Sequence, residues 1–206
     1  KVNGDLVITV TDTASAADVN AIAAKTTSAV TATIEDGSVA ATLKALKDVD
    51  ADAQANVLTF KSTDKTADAK ALVDLDALLD TSNFASVQTI TSKAADIGAA
   101  GATVIAALGI APGAAVTITN GTISATDAGA ISNNVNAGKV TATVAADLAA
   151  NIVAGLGAVA AVGDKDDALN ITVNGATASV AHLNTIDAQT ALKVKVDAAT
   201  VTATNY

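Results

Sequence analysis

Short runs of β-branched and aliphatic residues alternate along this chain with longer stretches in which apolar side chains fall three and four positions apart. The short runs are VITV (7–10), VTATI (30–34), VLTF (57–60), VQTIT (87–91), VTIT (116–119), VTATV (140–144), NITV (170–173) and LKVKV (192–196), and each predicts a strand. The longer stretches predict helices over 15–25, 39–49, 66–79, 94–108, 125–135, 145–156 and 180–188. In the first of these, Val19, Ile22 and Ala23 form one apolar stripe, with Asp18 and Lys25 elsewhere on the helix surface. Ser15, Thr66, Thr126 and Ser179 stand where N-caps belong, and Asp68 and Asp127 are placed to complement the helix dipole from the first turn. Near the end, VKVDAATVTAT (194–204) reads as strand, tight turn, strand.

The pattern also repeats in detail. TASAADVNAI (13–22) and TASVAHLNTI (177–186) fit one template, so both are expected to form the same corner, a strand end running into a helix. Strand starts roughly 22 to 30 residues apart, with a helix between each pair, imply parallel strands in units too small to bury their own apolar faces. The expectation is therefore a right-handed α/β solenoid over 1–206, with leucine-rich-repeat-like stacking of a parallel sheet. About seven to eight coils, each advancing roughly 4.8 Å, would make a single domain on the order of 35 to 40 Å long. A doubly wound open sheet shares the strand–helix alternation, but coil-to-coil likeness and short helices favour the solenoid.

Composition narrows what fills and surrounds such a scaffold. Half of the 206 residues are hydrophobic, yet Phe60, Phe84 and Tyr206 are the only aromatic residues, so the core must be built of Ala, Val, Ile and Leu. Against 21 acidic residues, of which Glu35 is the one Glu, stand 12 lysines and no arginine, for a net charge of −9. That balance argues against nucleic acid and against anionic membranes as partners. The absence of cysteine removes disulfides and thiolate metal sites. Residues 97–126 carry no charge and are long enough to span a bilayer, but their glycines, Pro112 and high Ala content predict a buried helix followed by a strand. The chain opens on Lys1 with no signal-peptide pattern before the first strand, as expected of a processed or excised stretch.

Aligning the strands on their inward residues leaves alternate positions on the opposite sheet face. Those positions read Thr9/Thr11, Thr31/Thr33, Thr59/Lys61, Thr89/Thr91, Thr117/Thr119, Thr141/Thr143, Thr172/Asn174 and Lys193/Lys195. As a function, a flat, hydroxyl-rich ladder suits a periodic partner such as a polysaccharide, ice or another copy of the chain; as structure, Thr is an ordinary residue for a solvated β face. Lys61, Lys193 and Lys195 interrupt the ladder, which weighs against ice, and the last pair resembles edge protection.

Other candidate chemistry is sparse. Asp48, Asp50 and Asp52 occupy positions 1, 3 and 5 of a calcium loop, but Ala53 replaces its glycine and Thr59 its closing Glu, leaving a weak calcium site or a solvated acidic turn. The same two readings apply to DKDD (164–167). GLGAVA (155–160) matches a dinucleotide-loop pattern but lies late in a helical stretch, so its glycines are read as ending or crowding that helix. His182 is the single histidine and takes the surface slot that Asp18 holds in the matching corner. With no cysteine, no arginine and one histidine, acid–base and triad chemistry lack actors, and no enzyme is expected. Asn120 and Asn170 open triplets that fit glycosylation acceptors, as chance supplies in a Thr-rich chain.

VTDTASAADVNAIAAKTTSAVTATI (10–34), VQTITSKAADI (87–97) and TVNGATASVAHLNTIDAQTALKVKVDAATVTAT (172–204) resemble the Ala/Thr/Asp-rich tandem repeats of very large secreted or cell-surface proteins of marine cyanobacteria. Residues 37–85 and 145–168 depart furthest from that pattern. The resemblance implies an extracellular, repetitive, non-enzymatic protein with calcium-binding repeats elsewhere in its parent. Together these readings lead to the expectation of a surface-layer, adhesin or self-assembling fibre segment. Its partners would be copies of itself or neighbouring repeats, joined end to end to cover exposed strand edges, and polysaccharide is a second candidate.

Overall fold

A computed structural model of the chain describes residues 7–46, 56–157 and 166–203 and divides it into two compact units, 1–88 and 89–206. Both are mixed α/β with parallel strands. In the first unit β1 (Ile8–Ala14), α1 (Ala16–Ala23), β2 (Val30–Ile34), α2 (Val39–Leu46), β3 (Val57–Lys61), β4 (Thr66–Asp68), α3 (Ala69–Asp76) and β5 (Thr81–Asn83) follow in order. Its main sheet runs β1-β2-β3-β5, all parallel, in chain order with β4 passed over between β3 and β5.

The second unit contains β6 (Thr89–Lys93), α4 (Ala102–Ile110), β7 (Ala115–Thr119), α5 (Ala125–Ser132), β8 (Val140–Thr143), β9 (Asp147–Leu148), α6 (Ala149–Leu156), β10 (Ala168–Asn170), β11 (Thr172–Asn174), β12 (Thr177–Ser179), α7 (Val180–Asp187), β13 (Lys195–Val196) and β14 (Thr200–Thr202). Here β6, β7, β8 and β10 pair side by side in parallel, β11 lies between β9 and β13, and β12 pairs with β14. The expected strand, turn, strand at 194–204 is present as β13 and β14, but each pairs with an earlier strand and they form no hairpin.

Register follows the inward columns. Ile90 pairs with Val116 and Val116 with Val140, and all three side chains are fully buried. In the first unit Ala32 stands beside Leu58, and Phe60 packs against Phe84 at 6.2 Å between ring centroids. Buried helix residues close the other side: Val19, Ala23, Val39, Leu46, Leu72 and Leu75 in the first unit, and Val104, Leu108, Ile131, Ile152, Leu156 and Ile186 in the second. Burying each Val, Leu or Ile contributes about 1.5–3 kcal/mol, and a strand this short cannot shield them alone. Paired positions are separated by 22 residues at Ile8 and Val30 and by 27 at Thr141 and Ala168.

Local chemistry explains where the helices begin and stop. Ser15, Ser124 and Ser179 accept hydrogen bonds from the N–H groups of Asp18, Asp127 and His182, at 3.1, 3.0 and 3.1 Å. The two near-identical segments at 13–22 and 177–186 thus form the same corner, strand end to Ser cap to helix. The expected caps Thr66 and Thr126 are each two residues out of place. Thr66 begins β4 and Asp68 caps α3 through Ala71 N–H, while Thr126 lies inside α5 behind the Ser124 cap. The helix expected over 94–108 forms only from Ala102, because Gly98 and Gly101 adopt left-handed φ of +74° and +68° and break the preceding stretch into short 3-10 turns. That region is, as expected, a helix with a buried face followed by β7, and among the described residues no helix is long and apolar enough to cross a membrane.

Small residues set how closely the helices lie. A Cβ at Gly129 of α5 would stand 2.6 Å from the carbonyl oxygens of both Gly155 and Leu156, so α5 and α6 approach backbone to backbone. Gly155 therefore crowds α6 against its neighbour, and Gly157 ends α6 at φ +77°, as the reading of GLGAVA anticipated for these two glycines; residues 158–160 lie outside the described residues. Gly129→Ala is expected to cost about 1–3 kcal/mol through forced separation of the helices. Gly109→Ala, where nothing lies within 4 Å, should be neutral or stabilise α4 by up to about 1 kcal/mol. Urea-unfolding midpoints of the two variants check the contrast.

Candidate functional site

The outward face of the strands is the surface that the sequence marks out, and the structure keeps every one of Thr9, Thr11, Thr31, Thr33, Thr89, Thr91, Thr117, Thr119, Thr141 and Thr143 out of the core. Their alignment differs from the expected ladder. A bulge in β1 places Val10, Thr11 and Asp12 opposite Ala32 alone, so Thr13 and not Thr11 pairs with Thr33. Packing of Leu58 beside Ala32 then puts Val57 next to Thr31 and Thr59 next to Thr33, shifting the expected Thr59/Lys61 pair by one step. The same logic acts in the second unit. Ile90 must face Val116, so Thr91 pairs with Thr117, Thr89 meets Ala115 and Lys93 meets Thr119.

Thr117 pairs with Thr141 as expected, but Thr141 then meets Ala168. Thr172 and Asn174 leave this row altogether, because β11 belongs to the sheet with β9 and β13. Lys195 stands beside Thr172 and reaches Asp197 at 2.8 Å, whereas Lys193 lies outside any strand. The result is two uneven patches in place of one continuous ladder. The longer unbroken row, Thr13, Thr33, Thr59 and Thr81, lies in the first unit and spans roughly 14 Å at the usual strand spacing. Thr81 was hidden in the sequence because TSN (81–83) has no hydrophobic alternation to mark it as a strand.

Beside this row, Lys61 pairs with Asp36 at 3.0 Å, both largely solvated, which contributes little to stability. An open cleft of about 290 Å3 lies in the first unit, floored by Ala16, Ala17, Ala41 and Ala45 and edged by Ser15, Glu35, Asp36 and Ser38. Ser15 and Ser38 already serve the backbone at the starts of α1 and α2. Glu35 and Asp36 are the acidic groups of this lining, which holds no cation.

Asp48, Asp50 and Asp52 lie outside the described residues, and among the described residues no group of three or more His, Asp or Glu side chains could hold a metal ion. Asp167 departs from the reading of DKDD as a metal site or a solvated turn. It is 1% exposed, its Oδ1 accepts Val140 N–H at 2.6 Å, and its Oδ2 accepts the Ser132 hydroxyl. Desolvation of the buried carboxyl raises its pKa, and the hydrogen bonds from Ser132 and Val140 offset this in part. Asn56 fills the matching position in the first unit, taking Val30 N–H at 2.9 Å. Neither role is legible in a sequence where both residues sit in polar turns.

Comparison of the chain with protein-family models, with curated proteins and with solved structures gives no match.

The Ser179 cap and the neighbouring His182 provide a contrast. Ser179→Ala should destabilise the second unit by about 1 kcal/mol through the lost cap. His182→Ala, at a half-exposed position whose backbone N–H keeps its bond, should change stability by less than about 0.5 kcal/mol. Thermal unfolding of the two variants separates them.

Proposed function

We propose that the chain is a non-enzymatic, extracellular structural protein, a segment of a surface layer, adhesin or self-assembling fibre, built as a right-handed α/β solenoid of about seven to eight coils. The observation that carries this reading is the in-register parallel pairing of sequence neighbours, with Ile8 beside Val30, Thr91 beside Thr117 and Thr177 beside Thr200. Stacking of α1 on α2 on α3, and of α5 on α6 on α7, supports the same reading on the helical side. Such modules scaffold by repetition.

The partners proposed are copies of the chain or neighbouring repeats joined end to end. Among the described residues β13 and β14 each pair on one side, and their inward residues Val196 and Val201 are 38% and 50% exposed, whereas the residues they pair with, Val173 and Ala178, are 0% and 3% exposed. A further strand would cover them and complete the ladder bonds. The secreted or cell-surface location rests on the resemblance of the tandem segments to large cyanobacterial surface proteins.

A second reading follows from the four-threonine row, a flat hydroxyl surface suited to polysaccharide. Glycan arrays with Thr33→Lys/Thr59→Lys as the control address it: binding that the control loses supports this reading, and equal signals from both proteins remove it.

Analytical ultracentrifugation with electron microscopy tests the main reading. Concentration-dependent growth into threads is expected; a monomer at all concentrations up to the millimolar range contradicts end-to-end assembly.

A further inference from the structure

The first inward-facing N–H of each strand lies at the margin of the sheet, where it needs an acceptor from the strand that follows. At Ile8 and Val116 this acceptor is a backbone carbonyl, that of Ala29 at 3.2 Å and Lys139 at 2.8 Å. At three other strand starts a side-chain oxygen takes its place: Asn56 Oδ1 for Val30, Asp167 Oδ1 for Val140 and Thr190 Oγ1 for Leu169. Of these three side chains Asp167 alone ionises.

Asp167 also holds more than one neighbour. Its Oδ2 takes the hydroxyl of Ser132 at the end of α5, and its backbone carbonyl accepts Ala191 N–H at 2.7 Å and the Thr190 hydroxyl at 3.3 Å. One residue therefore ties the end of α5, the start of β8 and the turn at 190–191. We propose that Asp167 is a pH-sensitive joint of the second unit, closed while its carboxyl holds a proton and loosened when that carboxyl ionises inside the fold.

Both forms satisfy the same two partners. A protonated Oδ2 donates to Ser132 Oγ, reversing that bond, while Oδ1 continues to accept Val140 N–H; the ionised form keeps the geometry but holds a buried negative charge. Among the described charged groups on the surrounding elements, Asp166 beside it repels that charge and Lys139 before β8 attracts it. Asp127 sits in the opposite, first turn of α5, and Asp187 is exposed at the end of α7. The burial cost outweighs these attractions and pushes the carboxyl above its ordinary range.

The direction of the pH effect follows. In the unfolded chain Asp167 ionises near ~3.9, while in the fold it holds its proton to higher pH, so between the two values folding takes up a proton. The stabilising contribution is complete below the unfolded value and is lost as pH rises through the folded value. This is opposite to the usual salt-bridged carboxylate.

The test compares the full chain with Asp167→Asn, an amide for which Asn56 is the precedent in this molecule, by urea unfolding from pH 4 to 8. As pH rises through the window, the folding constant of the parent should fall relative to the variant by up to about tenfold per pH unit, then level off. A ratio that stays constant, or rises with pH, overturns the proposal. Carbon-13 titration of the Asp167 carboxyl in the parent and in Ser132→Ala provides a reading that does not need the Asn variant to fold. The parent midpoint should lie above ~3.9 and move up when the Ser132 donor is lost; a parent midpoint at or below ~3.9 overturns the proposal equally.

Discussion

Every strand among the described residues is two to seven residues long, and none can shield its own inward side chains. Ile90, Val116 and Val140 illustrate the constraint. Each is fully buried only because the next strand brings an equivalent residue into register beside it, and the same register closes the ladder hydrogen bonds. Burial and backbone pairing therefore select one alignment together. Slippage by a single residue would turn Val116 outward and Thr117 inward.

A core of small side chains changes how tightness is achieved. With Phe60 and Phe84 as the sole ring pair in the described core, the second unit relies on close approach, and Gly129 and Gly155 let two helices touch through their backbones. The polar groups exposed by so many chain reversals are closed locally. Serines cap four of the described helices, Asp64 reaches across to Val39 N–H at the start of α2, and Asn56, Asp167 and Thr190 close strand starts. The proposed scaffold role draws on this economy: repetition supplies the shielding that each short unit lacks.

Much of this was legible in the pattern of residues. All seven expected helices are present, four of them starting at or within one residue of the expected position, because apolar spacing and Ser caps are local signals. The long β-branched runs were legible for the same reason, with VTATI forming β2 over the residues anticipated. β4, β5 and β9 were missed, since two or three residues carry no alternation and gain their strand geometry from a neighbour, whereas β12 was anticipated only as the strand end of its corner. The Thr ladder was right in its outward orientation and wrong in its alignment, because aligning on Thr-x-Thr ignores that Leu58 and Ile90 decide which residues meet. Asp167 was read as surface because burial of a carboxylate depends on contacts with Ser132 and Val140, residues far from it in the chain.

The central claim is that each strand is stable only through its neighbours in register. Native-state hydrogen exchange on Val116→Ala tests it most directly, since this residue sits between Ile90 and Val140 in a fully buried column. Mutual shielding predicts that amide protection falls together in β6, β7 and β8. Loss of protection confined to β7, with β6 and β8 unchanged, would contradict it.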